Sequence, residues 1–339
     1  MTQARWFVVL AVAAALGAGC GSREGSGGGA ETPDSKSAKY TVAVIPKGTT
    51  HEFWKSVHAG AVKASRETGA EVIWKGPLKE DDREAQIAVV ENFVTRGVSG
   101  IVLAPLDDKA LRPAVSNAVR SDIPVVIIDS DLQGDEHVSF VATDNYKGGQ
   151  MAGREMARLL NGRGRVVVLR YQEGSASTTN REKGFLDEIA RHPGIRVVSA
   201  NQYGGATTES AYRASENLLA PLKKGGRLDL DGIFCPNEST TFGMLRALQD
   251  SKLAGTVRFI GFDSSEKLVQ ALEAGQIDAL VLQDPFKMGY LGVKTLVDHL
   301  NGKEVPRRVD TGVTLVTRKN MSSPEIQQLL KPDLDRWLK

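Results

Sequence analysis

Cysteine is scarce in this chain: Cys20 and Cys235 are the only two among 339 residues. A disulfide framework is excluded, and Cys235, inside the apolar run "DGIFCPN", reads as a small buried side chain. An excess of charge of one sign is also missing. Lys and Arg number 43 against 41 Asp and Glu, with no basic stripe and no acidic tail, so neither nucleic acid nor a charged membrane surface is indicated as the main partner. The usual enzyme signatures are absent too: no Gly-rich loop ending in Lys-Ser/Thr, no G-x-G-x-x-G after the first strand, no G-x-S-x-G. No cofactor is expected, and the chain does not read as an enzyme. His51 and His58 fall on adjacent turns, but "HEFWK" lacks the second histidine of a zinc-hydrolase helix, and no metal is expected there.

What is present begins with an uncharged run from Trp6 to Gly19, preceded by Arg5 and followed by Cys20. Such a run is short for a membrane span and has the pattern of a secretory signal over residues 1–19. The ending resembles a bacterial lipobox, which implies lipidation of Cys20. Gly17 departs from the branched residue usual three places before the cysteine, and ordinary cleavage leaving a free Cys20 is the other reading. Residues 20–39 are rich in Gly and Ser with no apolar face, the composition of a flexible tether.

From Tyr40 onward, short apolar runs alternate with helix-length stretches. "YTVAVIP", "AEVIWKG", "SGIVLAP", "IPVVIID", "SFVAT", "RVVVLRY", "IRVVSAN", "DGIFCP", "VRFIGF", "DALVLQD" and "GVTLVT" read as strands. Between them, stretches such as "DDREAQIAVVENFVTRG" set Ile87, Val90 and Val94 on one helical face. Runs that are apolar throughout fit parallel strands covered on both sides, and the alternation predicts an α/β fold with doubly wound sheets. Eleven strands exceed one comfortable sheet, so two lobes are expected. A weak echo supports them: "GIVLAP…VVIID" and "GIFCPN…FIGFD" each end a strand near Pro and the next in Asp129 or Asp263. Pro and Asp are common just past strands, so duplication stays open.

Ligands of open parallel sheets sit beyond the carboxyl ends of the strands. Phe53, Trp54, Asp129, Asn237, Phe262, Asp263 and Gln283 fall there. Carboxylates and amides match vicinal hydroxyls, and flat aromatic faces cover the C–H faces of a sugar ring. Two blander readings stand beside this: Phe53 and Trp54 as core packing, and the aspartates as helix caps or turn residues.

Residues 40–317 resemble the periplasmic sugar-binding proteins of the ribose-binding type, type I periplasmic binding proteins that serve ABC importers. The resemblance rests on "FCPNESTTFGMLRAL", "FIGFDSS", "VLQDPFKMGYLG", "VATDNYKGGQMAG" and "NREKGF". It implies two lobes joined by three hinge strands, with 40–143 plus 284–311 in the first and 144–283 plus 312–339 in the second. It also implies ligand contacts from Asn237, Phe262, Asp263, Gln283, Arg181 and the first crossover near Thr143. This chain departs from the ribose type in having His51, Glu52, Phe53 and Trp54 where Asn-Pro-Phe-Phe is usual, and Ser130 where an arginine follows the aspartate; Lys47 is a candidate replacement cation. In the second lobe only Tyr203 lies near the place of a further aromatic. The function implied is capture of a monosaccharide or polyol by a monomeric, lipid-anchored extracytoplasmic receptor that docks on an ABC permease. The alternative is a sensor presenting the bound sugar to a chemoreceptor or kinase. A sugar-responsive regulator would need a helix-turn-helix before the first strand, where this chain has a leader and a tether.

Overall fold

The computed structural model describes residues 39–339; the expected leader, Cys20 and all but the last residue of the expected tether lie outside the described residues. The first run of elements is β1 (Thr41–Ile45), α1 (Glu52–Thr68), β2 (Glu71–Trp74), α2 (Arg83–Thr95), β3 (Gly100–Leu103), α3 (Arg112–Arg120), β4 (Val125–Ile128) and β5 (Ser139–Ala142). The second is α4 (Asn145–Leu159), β6 (Gly164–Arg170), α5 (Ala176–Ile189), β7 (Ile195–Tyr203), α6 (Thr208–Leu219), a hairpin of β8 (Lys223–Lys224) and β9 (Arg227–Leu228), β10 (Gly232–Phe234), α7 (Glu238–Asp250), β11 (Arg258–Phe262), α8 (Glu266–Glu273) and β12 (Ala279–Leu282). The chain closes with α9 (Pro285–Leu300), β13 (Arg308–Asp310), β14 (Thr314–Thr317), α10 (Pro324–Leu330) and α11 (Asp335–Leu338).

These strands form two six-stranded sheets, ordered β13-β5-β4-β3-β1-β2 and β14-β12-β11-β10-β6-β7. Every neighbouring pair in them is parallel except β14 against β12. The central strands β3, β4, β5 and β12 are buried at every position, which is why they read as unbroken apolar runs. Each sheet has an apolar layer on both faces. In the first lobe Ile101, Leu103 and Phe93 pack on one side and Val102, Trp54 and Leu296 on the other. In the second, Ile233, Phe259 and Leu248 oppose Phe234, Phe185 and Met156. Fully burying one such side chain stabilises by roughly 1.5–3 kcal/mol. All eleven predicted strands are present. The additions are β13, whose Arg-Val-Asp carries no apolar run, and the β8–β9 hairpin.

The chain passes between the sheets at Thr143–Asp144, Gln283–Asp284 and Thr311–Val313. A fourth passage was not foreseen. Ile326 and Leu330 sit in the second lobe's core, but Trp337 meets Phe286 with ring centroids 6.2 Å apart, and Arg66 of α1 donates to the carbonyls of Arg336 and Trp337. The end of the chain therefore lies against the first lobe, whereas the sequence placed all of 312–339 in the second. Trp337 is the reason: its ring has an aromatic neighbour and the Arg66 guanidinium, 5.2 Å away, to cover it there.

Helices α1 and α9 touch backbone to backbone. A Cβ on Gly289 would lie 1.9 Å from the Val57 carbonyl oxygen, and one on Gly60 1.9 Å from that of Phe286. The second lobe repeats the device between α4 and α5, where Gly149 and Gly184 would meet the carbonyls of Arg181 and Tyr146 at 2.0 and 2.1 Å. Gly289→Val and Gly184→Val are each expected to lower stability by about 1–3 kcal/mol through overpacking, read as a lowered melting temperature. Melting curves superimposable on the parent's would show that these contacts are not tight.

Candidate functional site

The carboxyl ends of both sheets face one seam. Just past β4, Asp129 has φ 62°, and just past β11, Asp263 has φ 68°. A left-handed backbone is uncommon outside glycine, although aspartate tolerates it better than most, and such positions gather at functional sites. Each turn is pinned by its own N–H, Asp129 donating to Val141 O at 3.2 Å and Asp263 to Val281 O at 2.9 Å. Two equivalent turns thus deliver a buried carboxylate from each lobe to the seam.

Each carboxylate has a cation from its own lobe. Lys47 Nζ lies 2.7 Å from Asp129 Oδ2 and also donates across the seam to Ser177 Oγ at 3.1 Å. Arg181 stands 3.8 Å from Asp263 Oδ2; its Nε donates to Asn145 Oδ1 and its Nη1 to Pro236 O. Asp263 further accepts from Gln283 Nε2 at 2.7 Å and from Glu238 N at 3.2 Å. Burial pushes the Asp263 carboxyl up, and Arg181 opposes that shift. Two polar atoms remain buried without a partner here, Arg181 Nη2 and Gln283 Oε1.

A third pair was not foreseen. Glu80, on the β2–α2 connection, accepts from His51 Nδ1 and Trp54 Nε1, both at 2.5 Å, and from the Tyr171 hydroxyl of the other lobe at 2.6 Å. Its backbone carbonyl accepts from Gln172 Nε2 at 2.7 Å. Burial alone would pull the His51 imidazolium down, but Glu80 beside it raises it to about 9. Burial alone would raise Glu80, but His51 and Lys47 hold it down at about 2. Glu238 reaches the other way across the seam: its carboxylate accepts from the backbone N–H of Glu52 and Phe53, each at 3.3 Å. Those N–H groups open α1, whose N-cap His51 makes no side-chain capping bond.

Nine of the eleven residues singled out for ligand contact line one cavity: Lys47, His51, Phe53, Trp54, Asp129, Arg181, Asn237, Asp263 and Gln283. Thr143 and Phe262 stand behind its wall. The Thr143 hydroxyl is engaged with Thr311 Oγ1 and Gly312 O, tying two crossovers together. Phe262 is fully buried, with the Arg181 guanidinium 4.0 Å over its ring. Trp54 combines both earlier readings, since it packs in the first lobe's core and still borders the cavity. Tyr203, at the end of β7, lies outside, its hydroxyl accepting from Arg170 of β6. The aromatic of the second lobe is Tyr171. The equivalence of the β6–α5 loop to the β1–α1 loop was the signal that could have found it, together with Ser177 and Thr178. Among the described residues no cluster of His, Cys, Asp and Glu is placed to hold a metal ion. The lobes are shut, and the cavity measures about 30 Å3, the share of liquid volume taken by roughly one water.

Two sheets of matching strand order, three crossovers, and a charged seam at their carboxyl ends define a two-lobed α/β binding protein. The chain belongs to the periplasmic binding protein domain family, whose model matches residues 42–304. It is 31% identical to the D-ribose/D-allose-binding protein of Pseudomonas aeruginosa, over 85% of this chain and 91% of that protein. A carbohydrate transporter solute binding protein from Agrobacterium radiobacter, solved with D-arabinose, superimposes with a TM-score of 0.82 at 35% identity, covering 87% of this chain and 99% of that one. A solute binding protein from Agrobacterium vitis with bound D-fucose gives 0.81 at 36%, covering 86% and 99%.

The His51–Glu80 pair gives a pH signature. The His51 value lies above the ordinary 6.5, so its contribution to stability is complete below about 6.5 and is lost as pH rises through about 9. Glu80 contributes fully above its ordinary 4.5 and loses this as pH falls through about 2. Glu80→Gln is expected to lower the His51 value well below about 9, leaving burial opposed only by the more distant Glu238 and Asp263, measured by NMR titration of the imidazole. A His51 titration near 9 in that variant would show that Glu80 does not hold the charge.

Proposed function

We propose that the protein is an extracytoplasmic receptor that closes its two lobes on a neutral monosaccharide or related polyol and presents it to an ABC permease. The observation that carries this reading is the pairing of Asp129 with Lys47 and of Asp263 with Arg181 at one seam, one pair from each lobe. Carboxylates accept from hydroxyls, cations donate to them, and both lobes contribute, so binding favours the closed form. The cleft charges come close to balance: Lys47, Arg181 and the His51 imidazolium stand against Glu80, Asp129, Asp263 and Glu238, and burial pushes Glu238 up to about 7, so that it is only partly charged near neutral pH. A neutral guest leaves that balance intact. Ribose, allose, arabinose and fucose in the names of the relatives support the same class. The 30 Å3 cavity requires the lobes to part and then close around the sugar, whose hydroxyls take over contacts such as Lys47 to Ser177.

The apolar leader and Cys20 support a lipid anchor, with residues 21–39 as a leash between bilayer and receptor. Cys20→Ser is expected to move the protein from the membrane fraction to the soluble extracytoplasmic fraction.

The test of sugar capture is calorimetry and thermal shift with D-ribose, D-arabinose, D-allose, D-fucose and myo-inositol, in which a bound sugar stabilises by mass action. Asp263→Ala is expected to weaken the best of them by about 1.5–3 kcal/mol, roughly 10- to 150-fold. Affinity unchanged in a variant that still melts cooperatively would remove Asp263 from the site.

A further inference from the structure

A second, larger cavity lies beside the cleft. It measures about 480 Å3, within the range of about 300–1,000 Å3 of small-molecule sites. Helix α1 of the first lobe and α8 of the second form its sides, the crossover at Leu282–Pro285 its back, and the C-terminal passage from Leu329 to Leu334 crosses it. Phe53, Asp263 and Gln283 line both cavities, so the two share one partition. The Asp263–Gln283 hydrogen bond is part of that partition, and Gln283 Oε1, buried and without a donor, sits in it.

We propose that this cavity is a subsite for a second ring, so that the preferred ligand is a glycoside or disaccharide whose first sugar occupies the cleft. The inference rests on the sugar-capturing reading and extends it. Pro285, Leu329, Pro332 and Leu334, all half-buried, offer apolar surface to a ring face, while Glu52, Glu266 and Glu273 offer acceptors to its hydroxyls. A hydroxyl near the linkage supplies the donor that Gln283 Oε1 lacks. Four carboxylates, those three and Asp263, face the cavity against one cation, Lys331. The second ring is therefore uncharged or amino-bearing, and a uronic acid is rejected there.

The full-length protein is titrated with the monosaccharides named above, with their methyl and phenyl glycosides, and with neutral and uronic-acid-containing disaccharides built on them. The expected result is a neutral extended ligand binding at least about tenfold more tightly than its parent sugar. Gln270→Trp, on the exposed face of α8 and outside the cleft, fills the cavity; it is expected to abolish that gain and leave the parent sugar's affinity within about twofold. Glu273→Lys is expected to admit the uronic-acid disaccharides. Parent sugars that bind while every extended ligand binds no better, or a gain that survives Gln270→Trp, would overturn the subsite and leave the receptor reading standing. Failure of every sugar of either size would overturn both.

Discussion

Charge buried between two lobes has to be met by opposite charge, and the seam is organised around that requirement. Lys47, Arg181 and His51 are nearly inaccessible in the closed form, as are Asp129, Asp263 and Glu80. Removing one member of such a pair leaves the other stranded at a penalty of about 3–5 kcal/mol, while the intact pair contributes little net stability. The pairs are therefore poor material for holding a fold together. They are good material for recognition, because a polyol offers donors and acceptors that can substitute for some of these contacts without leaving a bare ion.

Closure also completes a helix. The first turn of α1 lacks a side-chain cap of its own, and two of its backbone donors are met by Glu238 from the opposite lobe. In an open form those donors turn to water. Burial pushes the Glu238 carboxyl up to about 7, with His51 opposing, so shutting the lobes near neutral pH works against the solvation of this group. The Glu80–Tyr171 and Lys47–Ser177 contacts likewise exist only when the lobes meet. A receptor whose shut form carries several such contacts draws on them when a sugar arrives, since only interactions specific to that form bias the equilibrium.

The sheets were legible because central parallel strands are apolar at every position, and the eleven runs needed no tertiary information. β13 escaped because an edge strand of Arg, Val and Asp has exposed ends and pairs only through its backbone. At the site, the residues that follow strands directly were legible, Asp129 and Asp263 above all, since turn chemistry and position coincide there. Glu80 was not. It lies in "KGPLKEDD", where an acidic loop residue looks solvated, and only the folded chain shows it as the shared acceptor of His51, Trp54 and Tyr171. Phe262 was misplaced for the opposite reason: its neighbour Asp263 faces the cavity, and strand alternation turns the phenyl ring away into the core.

The duplication left open by the short echo acquires weight from features that sequence similarity cannot show. Both sheets run in the same order, and both end β4 or β11 in a left-handed aspartate. In the first lobe the partner cation comes from the β1–α1 unit, as Lys47, and in the second from the β6–α5 unit, as Arg181. The helix packed on α1 is α9, which follows β12 of the other lobe, while the helix packed on α5 is α4, which follows β5 of the other lobe. The two halves have thus exchanged one helix each. Glycine contacts lock each exchanged helix to its host, so rotation between lobes cannot be absorbed within the helix pairs. It has to fall on the passages between the lobes, at Thr143–Asp144, Gln283–Asp284, Thr311–Val313 and the C-terminal stretch after Leu330, which places Gln283 at once on a hinge passage and in the wall of the cleft. A guest that contacts Gln283 therefore acts directly on a residue whose backbone must turn for the lobes to close.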